Sequence, residues 1–428
     1  MERHAVATGT VVMQRLQAGR FVEVCELFAP ELRELISADA LRQPWEELLE
    51  AHGPIALVGS PSSAQAGPNA IVVTFPVRCD RGGFAVVAAI NDTGNLTGLQ
   101  FAPEEAAESV ANWEPPPYAD PAAFTEHDVT VADGAQATPG TLSLPTSPRR
   151  VPAVVLLAGS GPADRDATMG GNKIFKDIAW GLASRGIAVL RFDKVTYTHG
   201  DSLDVTDFTV VDEYVRPAVT AVRLLREHPG VDASRVFVLG HSEGGTVAPR
   251  VAAAAPVIAG LIVLAGATQP MHHAIVRQFR YLATLRNPDA DLAADPALQT
   301  VTRQCALIDS PDFSPATPAH LLPFGVPAPY WLDLLDYDPV ATAARLDAPM
   351  LILQGGRDYQ VTVADDLVGW RTGLAHHPDV TIRVYDADNH LFFPGSGPST
   401  PAEYQPAQHV DAEVVADIVH WVNARPQR

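Results

Sequence analysis

The 428-residue chain reads as an α/β protein in which a doubly wound, mostly parallel sheet follows a small α+β domain. Three observations predict this. Apolar runs at 151–157, 187–192, 235–239, 258–265, 350–354 and 380–385 alternate with helical patterns, as strands of a parallel sheet covered on both faces do. Residues 5–101 behave differently, with helical stripes followed by strand-like runs and tight turns. Between the two regions lies Glu114-Pro-Pro-Pro-Tyr-Ala-Asp-Pro121, whose consecutive prolines favour extended geometry and mark a boundary.

Composition narrows the class. With 47% hydrophobic and 19% charged residues, the chain can bury a large core, and its length allows two domains. Fifty acidic against 30 basic side chains give a net charge of −20, which opposes phosphate backbones and anionic lipid, so neither nucleic acid nor a membrane is an expected partner. Cys25, Cys79 and Cys305 are odd in number and far apart, without a Cys-x-x-Cys pair; this suggests no disulfide framework or thiolate zinc site and fits a reducing compartment. The N-terminus is amphipathic and lacks an apolar h-region, so the expected location is the cytoplasm. The uncharged stretch 251–268 is short for a membrane span and carries Pro256; it divides into a helix end and a buried strand.

Taken in order, Val12 and Leu16, then Phe21, Val24, Leu27 and Phe28, then Leu41, Trp45, Leu48 and Leu49 form helical stripes punctuated by Gly19, Pro30 and Pro44. Strands are expected at 55–58, 70–78, 84–90 and 96–101, with hairpin turns at 80–83 and 91–94. The expected limits are 1–113 for this accessory domain, 114–125 for the linker and 126–428 for the catalytic domain. The first domain has no Ser/His/Asp set and no metal-ligand spacing. It reads as a packing or oligomerisation module, with a cover for the catalytic mouth as the functional alternative and a homodimer left open.

The second domain is organised around residues 236–245, Val-Phe-Val-Leu-Gly-His-Ser-Glu-Gly-Gly, where a buried strand meets a helix at Gly-x-Ser-x-Gly. Glycines flanking Ser242 allow the close backbone approach that a sharp strand-to-helix turn requires, leaving the hydroxyl exposed. A serine hydroxyl is a weak nucleophile until an imidazole takes its proton, and the imidazole needs a carboxylate to orient it. Two later strands end in those groups, Asp358 and His390. Asp386 and Asp388 are the alternative acids, and His376 and His377 the alternative bases. The amide of Glu243 supplies one oxyanion donor, and the Gly159-Ser-Gly-Pro162 turn a second, most plausibly at Ser160. The following Asp164-Arg-Asp166 opposes a phosphate-binding role for that turn. The Glu243 carboxylate reads as a solvated acid beside a helix dipole, or as a partner for a substrate amine.

Residues 268–346 are too long for a plain loop and should form a helical lid. Ile275, Phe279, Leu282 and Leu285 make one stripe, and Leu298, Val301, Cys305 and Ile308 another. Substrate contacts are expected from Gly159, Gly161, His241, Tyr330 and Trp331, and a largely apolar ester or thioester is the expected partner. The adjacent pairs His272-His273 and His376-His377 diverge on a helix, so no metal site is expected, and no motif calls for a cofactor.

At Leu157-Ala-Gly-Ser-Gly-Pro-Ala-Asp-Arg-Asp166, Gly181-Leu-Ala-Ser-Arg-Gly-Ile-Ala-Val-Leu-Arg-Phe-Asp-Lys194, Gly240-His-Ser-Glu-Gly-Gly245 and Leu353-Gln-Gly-Gly-Arg-Asp-Tyr-Gln-Val361 the chain resembles bacterial α/β-hydrolase-fold serine esterases with an extra small N-terminal domain. The resemblance spans essentially the whole chain. It implies hydrolysis of a carboxylic ester or thioester, with Ser242, Asp358 and His390 at the triad positions. One departure is Ala158, where such enzymes commonly carry histidine. The Gly-His-Ser-Glu-Gly form is also similar to acyl-peptide and prolyl oligopeptidases, but no propeller-sized domain precedes it. Two other readings stay open: acyl transfer or cyclisation by the same triad on a bulky natural-product-like substrate, and noncatalytic ligand binding on the same fold.

Overall fold

The structure, a computed structural model, describes residues 2–33, 36–67, 70–103, 113–132, 134–288 and 291–425. The chain divides into two compact units, Met1–Trp113 with Tyr404–Ala407 and Glu114–Glu403 with Gln408–Arg428.

In the first unit, four helices, α1 (Glu2–Gln17), α2 (Phe21–Cys25), α3 (Pro30–Arg33) and α4 (Ala38–His52), precede an antiparallel sheet. Helix α4 starts where the Ser37 hydroxyl accepts the Ala40 N–H at 3.1 Å and stops at Gly53, whose φ of 87° breaks the helix. The strands are β1 (Ile55–Val58), β2 (Ser62–Gly67), β3 (Ala70–Cys79), β4 (Gly82–Asn91) and β5 (Leu96–Pro103). Strands β3 and β4 pair from Ala70 opposite Asn91 to Cys79 opposite Gly82. Val73, Phe75 and Val77 of β3 join Phe84, Val86 and Ile90 of β4 in a core with Val12, Leu16 and Trp45. Strand β2 is absent from the sequence expectations because Ser62-Ser63-Ala64 shows no apolar alternation; pairing with β3 recruits it.

The second unit holds an eight-stranded sheet of β6 (Phe124–Val131), β7 (Thr138–Pro145), β8 (Val151–Leu157), β9 (Ala188–Phe192), β10 (Val231–His241), β11 (Gly260–Leu264), β12 (Met350–Gly355) and β13 (Val380–Tyr385). Its order is β6-β7-β9-β8-β10-β11-β12-β13. The pairs β6–β7 and β7–β9 are antiparallel and the others parallel. Alternate residues of β8 show why its sequence is uniformly apolar. Val151, Ala153, Val155 and Leu157 pack in one cluster with residues of α6 (Arg216–Glu227) and α7 (Glu243–Ala254), while Val154 and Leu156, on the other face, are equally buried. Helix α5 (Ile174–Ala183) packs against the C-terminal α11 (Ala412–Asn423). The sequence expectations omit α11, although its Val414, Val415, Ile418 and Val422 make a clear helical stripe.

Between β11 and β12 run α8 (Met271–Arg286), α9 (Pro296–Ile308) and α10 (Ala328–Leu335). They have a core of their own, in which Ile275, Leu298, Val301, Cys305, Ile308 and Trp331 are buried. Leu285, expected in the first stripe, is exposed at the end of α8. Among the described residues no helix is long and apolar enough to cross a membrane, and Cys25, Cys79 and Cys305 form no disulfide.

Candidate active site

The site is built at the carboxyl ends of β8, β10, β12 and β13. Strand β10 ends at His241 and α7 begins at Glu243, which leaves Ser242 alone in the turn at φ 56°, ψ −123°. A side chain rarely adopts that conformation, and such strain persists only where the surroundings fix it. Here the Ser242 N–H donates to the Leu264 carbonyl at 2.9 Å, and the Ser242 carbonyl accepts from Thr246 N–H at 2.9 Å. Glycine is obligatory on either side for reasons of space. A Cβ on Gly240 would overlap the Gly244 carbonyl, and one on Gly244 would overlap the Leu157 carbonyl.

His390 and Asp358 converge on this serine. His390 Nε2 lies 3.0 Å from Ser242 Oγ, and His390 Nδ1 lies 2.6 Å from Asp358 Oδ2. A carboxylate can only accept, so Nδ1 carries the proton and Nε2 presents its lone pair to the hydroxyl. Asp358 is buried, but fully partnered. Its Oδ1 accepts the amides of Gln360 at 2.8 Å and Val361 at 3.0 Å, and its Oδ2 accepts Gln354 Nε2 at 3.2 Å. The His390 carbonyl in turn accepts His241 Nε2 at 2.8 Å. Burial pushes the His241 pKa down to about 3, so this ring is a neutral brace behind the histidine loop.

The alternatives separate cleanly. Asp388 is fully buried with no hydrogen-bond partner among the described residues on either carboxylate oxygen, and burial, Asp411 and Glu413 push its pKa up to about 7. It does not hold His390. His377 Nε2 bonds the Leu346 carbonyl at 2.8 Å, and His376, after the short helix Val368–Gly373, does not line the cavity onto which Ser242 opens.

Ser242 opens into a cavity of about 1020 Å³, roofed by α8, α10 and the chain between α9 and α10. Val205, Phe208, Met271, Ile275, Phe324 and Leu334 make much of its wall apolar. Ser160, Gly161, Tyr330 and Trp331 line it, whereas Gly159 and His241 do not. Gly159 sits against Ser242 instead, where an added Cβ would lie 3.2 Å from Ser242 Cβ. His241 faces the His390 backbone.

The two backbone amides expected to serve the oxyanion are placed as follows. Glu243 N–H is the first of α7 and has no intrahelical acceptor. Ser160 N–H makes no backbone hydrogen bond among the described residues. Downstream, Asp164-Arg-Asp166 is an anchor for this loop. Arg165 makes a two-pronged bond to Asp193 at 2.9 and 3.0 Å, and Asp166 takes Arg191 at 2.8 Å and Lys173 at 3.0 Å.

Two sequence expectations are corrected. Glu243 is not a solvated acid; its side chain is buried, accepts Tyr330 Oη at 2.9 Å and meets Tyr214 Oη at 3.0 Å, and burial raises its pKa. His272 and His273 do not diverge. Asp309, capping the end of α9, lies across the first turn of α8, and each of its oxygens takes one Nε2 at 2.9 Å, making a His/His/Asp group that could hold a metal ion. Sequence reading also missed Lys194, Glu213 and Tyr214, which line or underlie the cavity floor. Lys194 had a visible signal, as one of only three lysines in the chain. Tyr214 had none, because nothing in a helical pattern shows which loop its hydroxyl reaches.

This sheet, with a strained serine at the end of its central strand, defines an α/β-hydrolase-fold protein. The chain belongs to the family described as Serine aminopeptidase, S33, which matches residues 172–393, and it is a hydrolase of the serine class. It is 34% identical over 411 residues to Esterase EstD of Thermotoga maritima, an alignment that covers 96% of this chain and 93% of that one. Among solved structures it is similar to Est1E from Butyrivibrio proteoclasticus, at 15% identity and TM-score 0.45 over 70% of this chain and 98% of that one. It is also similar to the acylaminoacyl peptidase of Pyrococcus horikoshii, at 11% identity and TM-score 0.46 over 86% of this chain and 56% of that one.

Proposed function

We propose that the protein is a serine esterase that hydrolyses a carboxylic ester, or the closely related thioester, through an acyl-enzyme on Ser242. The observation that carries this is the line Asp358–His390–Ser242, with steps of 2.6 and 3.0 Å, ending at the floor of the cavity. The relative that aligns over nearly the whole chain bears the name esterase, which favours ester over peptide chemistry.

In this mechanism His390 Nε2 takes the hydroxyl proton as Ser242 Oγ attacks the acyl carbon, and Asp358 stabilises the imidazolium. The amides of Ser160 and Glu243 hold the tetrahedral oxyanion. The leaving alcohol or thiol takes the proton from His390; water, deprotonated by the same nitrogen, then releases the acid. The roof of α8–α10 acts as the lid, and the apolar wall selects a sizeable apolar acyl or alcohol group.

A series of p-nitrophenyl esters from acetate to decanoate tests this, with kcat/KM expected to rise with acyl length until the cavity is filled. Full turnover by Ser242→Ala would overturn it. Water labelled with heavy oxygen separates hydrolysis from acyl transfer, since only hydrolysis incorporates the label into the acid.

A further inference from the structure

We infer that Lys194 is a positioning residue for the oxyanion hole, gripping the Gly159–Ser160 peptide by its carbonyl and so aiming the Ser160 N–H at the acyl oxygen. This rests on the reading of Ser242 as nucleophile and Ser160 as oxyanion donor.

The argument starts from peptide geometry. The chain has no cis peptide bond among the described residues, and in a planar trans peptide the C=O of one residue and the N–H of the next point in opposite directions. Whatever fixes the Gly159 carbonyl therefore fixes the Ser160 N–H. That carbonyl receives Lys194 Nζ at 2.9 Å and Tyr214 Oη at 2.7 Å, both from side chains buried beneath the loop. On the opposite side, Ser160 lines the cavity together with Ser242.

Such a brace is needed here. Position 159 is tight for a side chain, since a Cβ there would lie 3.2 Å from Ser242 Cβ, and glycine leaves the following peptide more freedom to rotate. Ala158, the residue before it, has no polar side-chain atom with which to hold the turn.

Counting protons identifies Lys194 as the dependable donor. Its ammonium has three, and three acceptors surround it: Gly159 O at 2.9 Å, Tyr214 Oη at 2.7 Å and Glu213 Oε1 at 3.2 Å. Tyr214 has one proton for two acceptors, the Gly159 carbonyl and the Glu243 carboxyl. The lysine bond is charge-assisted, and a carbonyl polarised in this way makes the N–H of its own peptide a better donor. Glu213 keeps the lysine in place and also accepts Thr196 Oγ1 at 2.6 Å.

The test is steady-state kinetics on p-nitrophenyl butyrate, normalised to active sites by the initial burst, together with inhibition by an alkyl trifluoromethyl ketone, whose hemiketal oxygen occupies the oxyanion hole. Lys194→Met alone would strand the Glu213 charge, so the informative variant is Lys194→Met with Glu213→Gln. Its kcat is expected to fall about 10- to 100-fold with KM within about threefold, and its ketone inhibition constant to rise by the same factor as kcat falls. Tyr214→Phe should lose less, about three- to tenfold. Where that double variant does not fold, Lys194→Leu with Glu213→Gln, which likewise removes the donor without stranding a charge, provides the same comparison. A folded lysine variant with kcat within twofold of the parent overturns the inference, as does a loss confined to KM, a ketone affinity that fails to track kcat, or a larger loss in Tyr214→Phe. Ser242→Ala with full turnover would instead overturn the reading on which the inference rests.

Discussion

The two sheets of this molecule are built by opposite rules. In the first unit, β3 and β4 run antiparallel for ten residues each and are joined by the tight Asp80-Arg81 turn, so successive connections leave from opposite edges. In the second, β8, β10, β11, β12 and β13 run parallel, and every connection must return across a face before the next strand begins. All their carboxyl ends therefore meet at one edge. The Gly159 turn, Ser242, Asp358 and His390 each follow a different strand, and Ser242 and His390 touch although 148 residues separate them. An antiparallel meander of short turns packs a core well, but it does not gather loops from distant sequence into one place.

This contrast can be tested by how much each site tolerates. The largest effect is expected at the parallel edge, where Ser242→Ala should lower kcat about 10⁶-fold without changing the thermal melt. Asp358→Asn comes next, at about 10⁴-fold in kcat, because the amide favours the wrong tautomer of His390. Glycine substitutions compare the sheets directly. Gly240→Ala forces a Cβ into the Gly244 carbonyl and should cost about 3 kcal/mol or more by denaturant unfolding. Gly98→Ala in β5 meets only the Ala89 Cβ at 3.5 Å and should stay within about 1 kcal/mol of the parent. Equal costs at the two glycines would erase the distinction.

The smallest effect concerns Asp388. Its pKa, raised from 3.8 to about 7, means the folded state binds this proton more tightly than the unfolded state. Stability from this group is thus present below about pH 4 and lost as pH rises through about 7. Asp388→Asn should melt about 3 °C higher than the parent at pH 8 and at the same temperature near pH 4. A variant no more stable at pH 8 than its parent would show that the carboxylate has found a partner.

Several elements were legible in sequence for simple reasons. The parallel strands are uniformly apolar because both faces are covered, and Gly-x-Ser-x-Gly stands out because two carbonyls leave no space for a Cβ at Gly240 or Gly244. Others were not. Strand β2 has no apolar alternation, since β3 supplies the pairing that holds it. The Glu243 carboxylate looked solvated because its partners lie 29 and 87 residues away, on Tyr214 and Tyr330. His272 and His273 looked divergent because the carboxylate that joins them belongs to the next helix, α9.

By itself, then, the sequence determined the layered α/β architecture, the strained serine and the kinds of group that could serve it, because periodicity, glycine spacing and residue chemistry are local properties. Only the tertiary structure decided which aspartate faces His390, which acid is left without a partner, and which buried cation holds the Gly159 carbonyl. Those outcomes depend on hydrogen bonds between segments far apart in the chain, and a one-dimensional pattern carries no record of them.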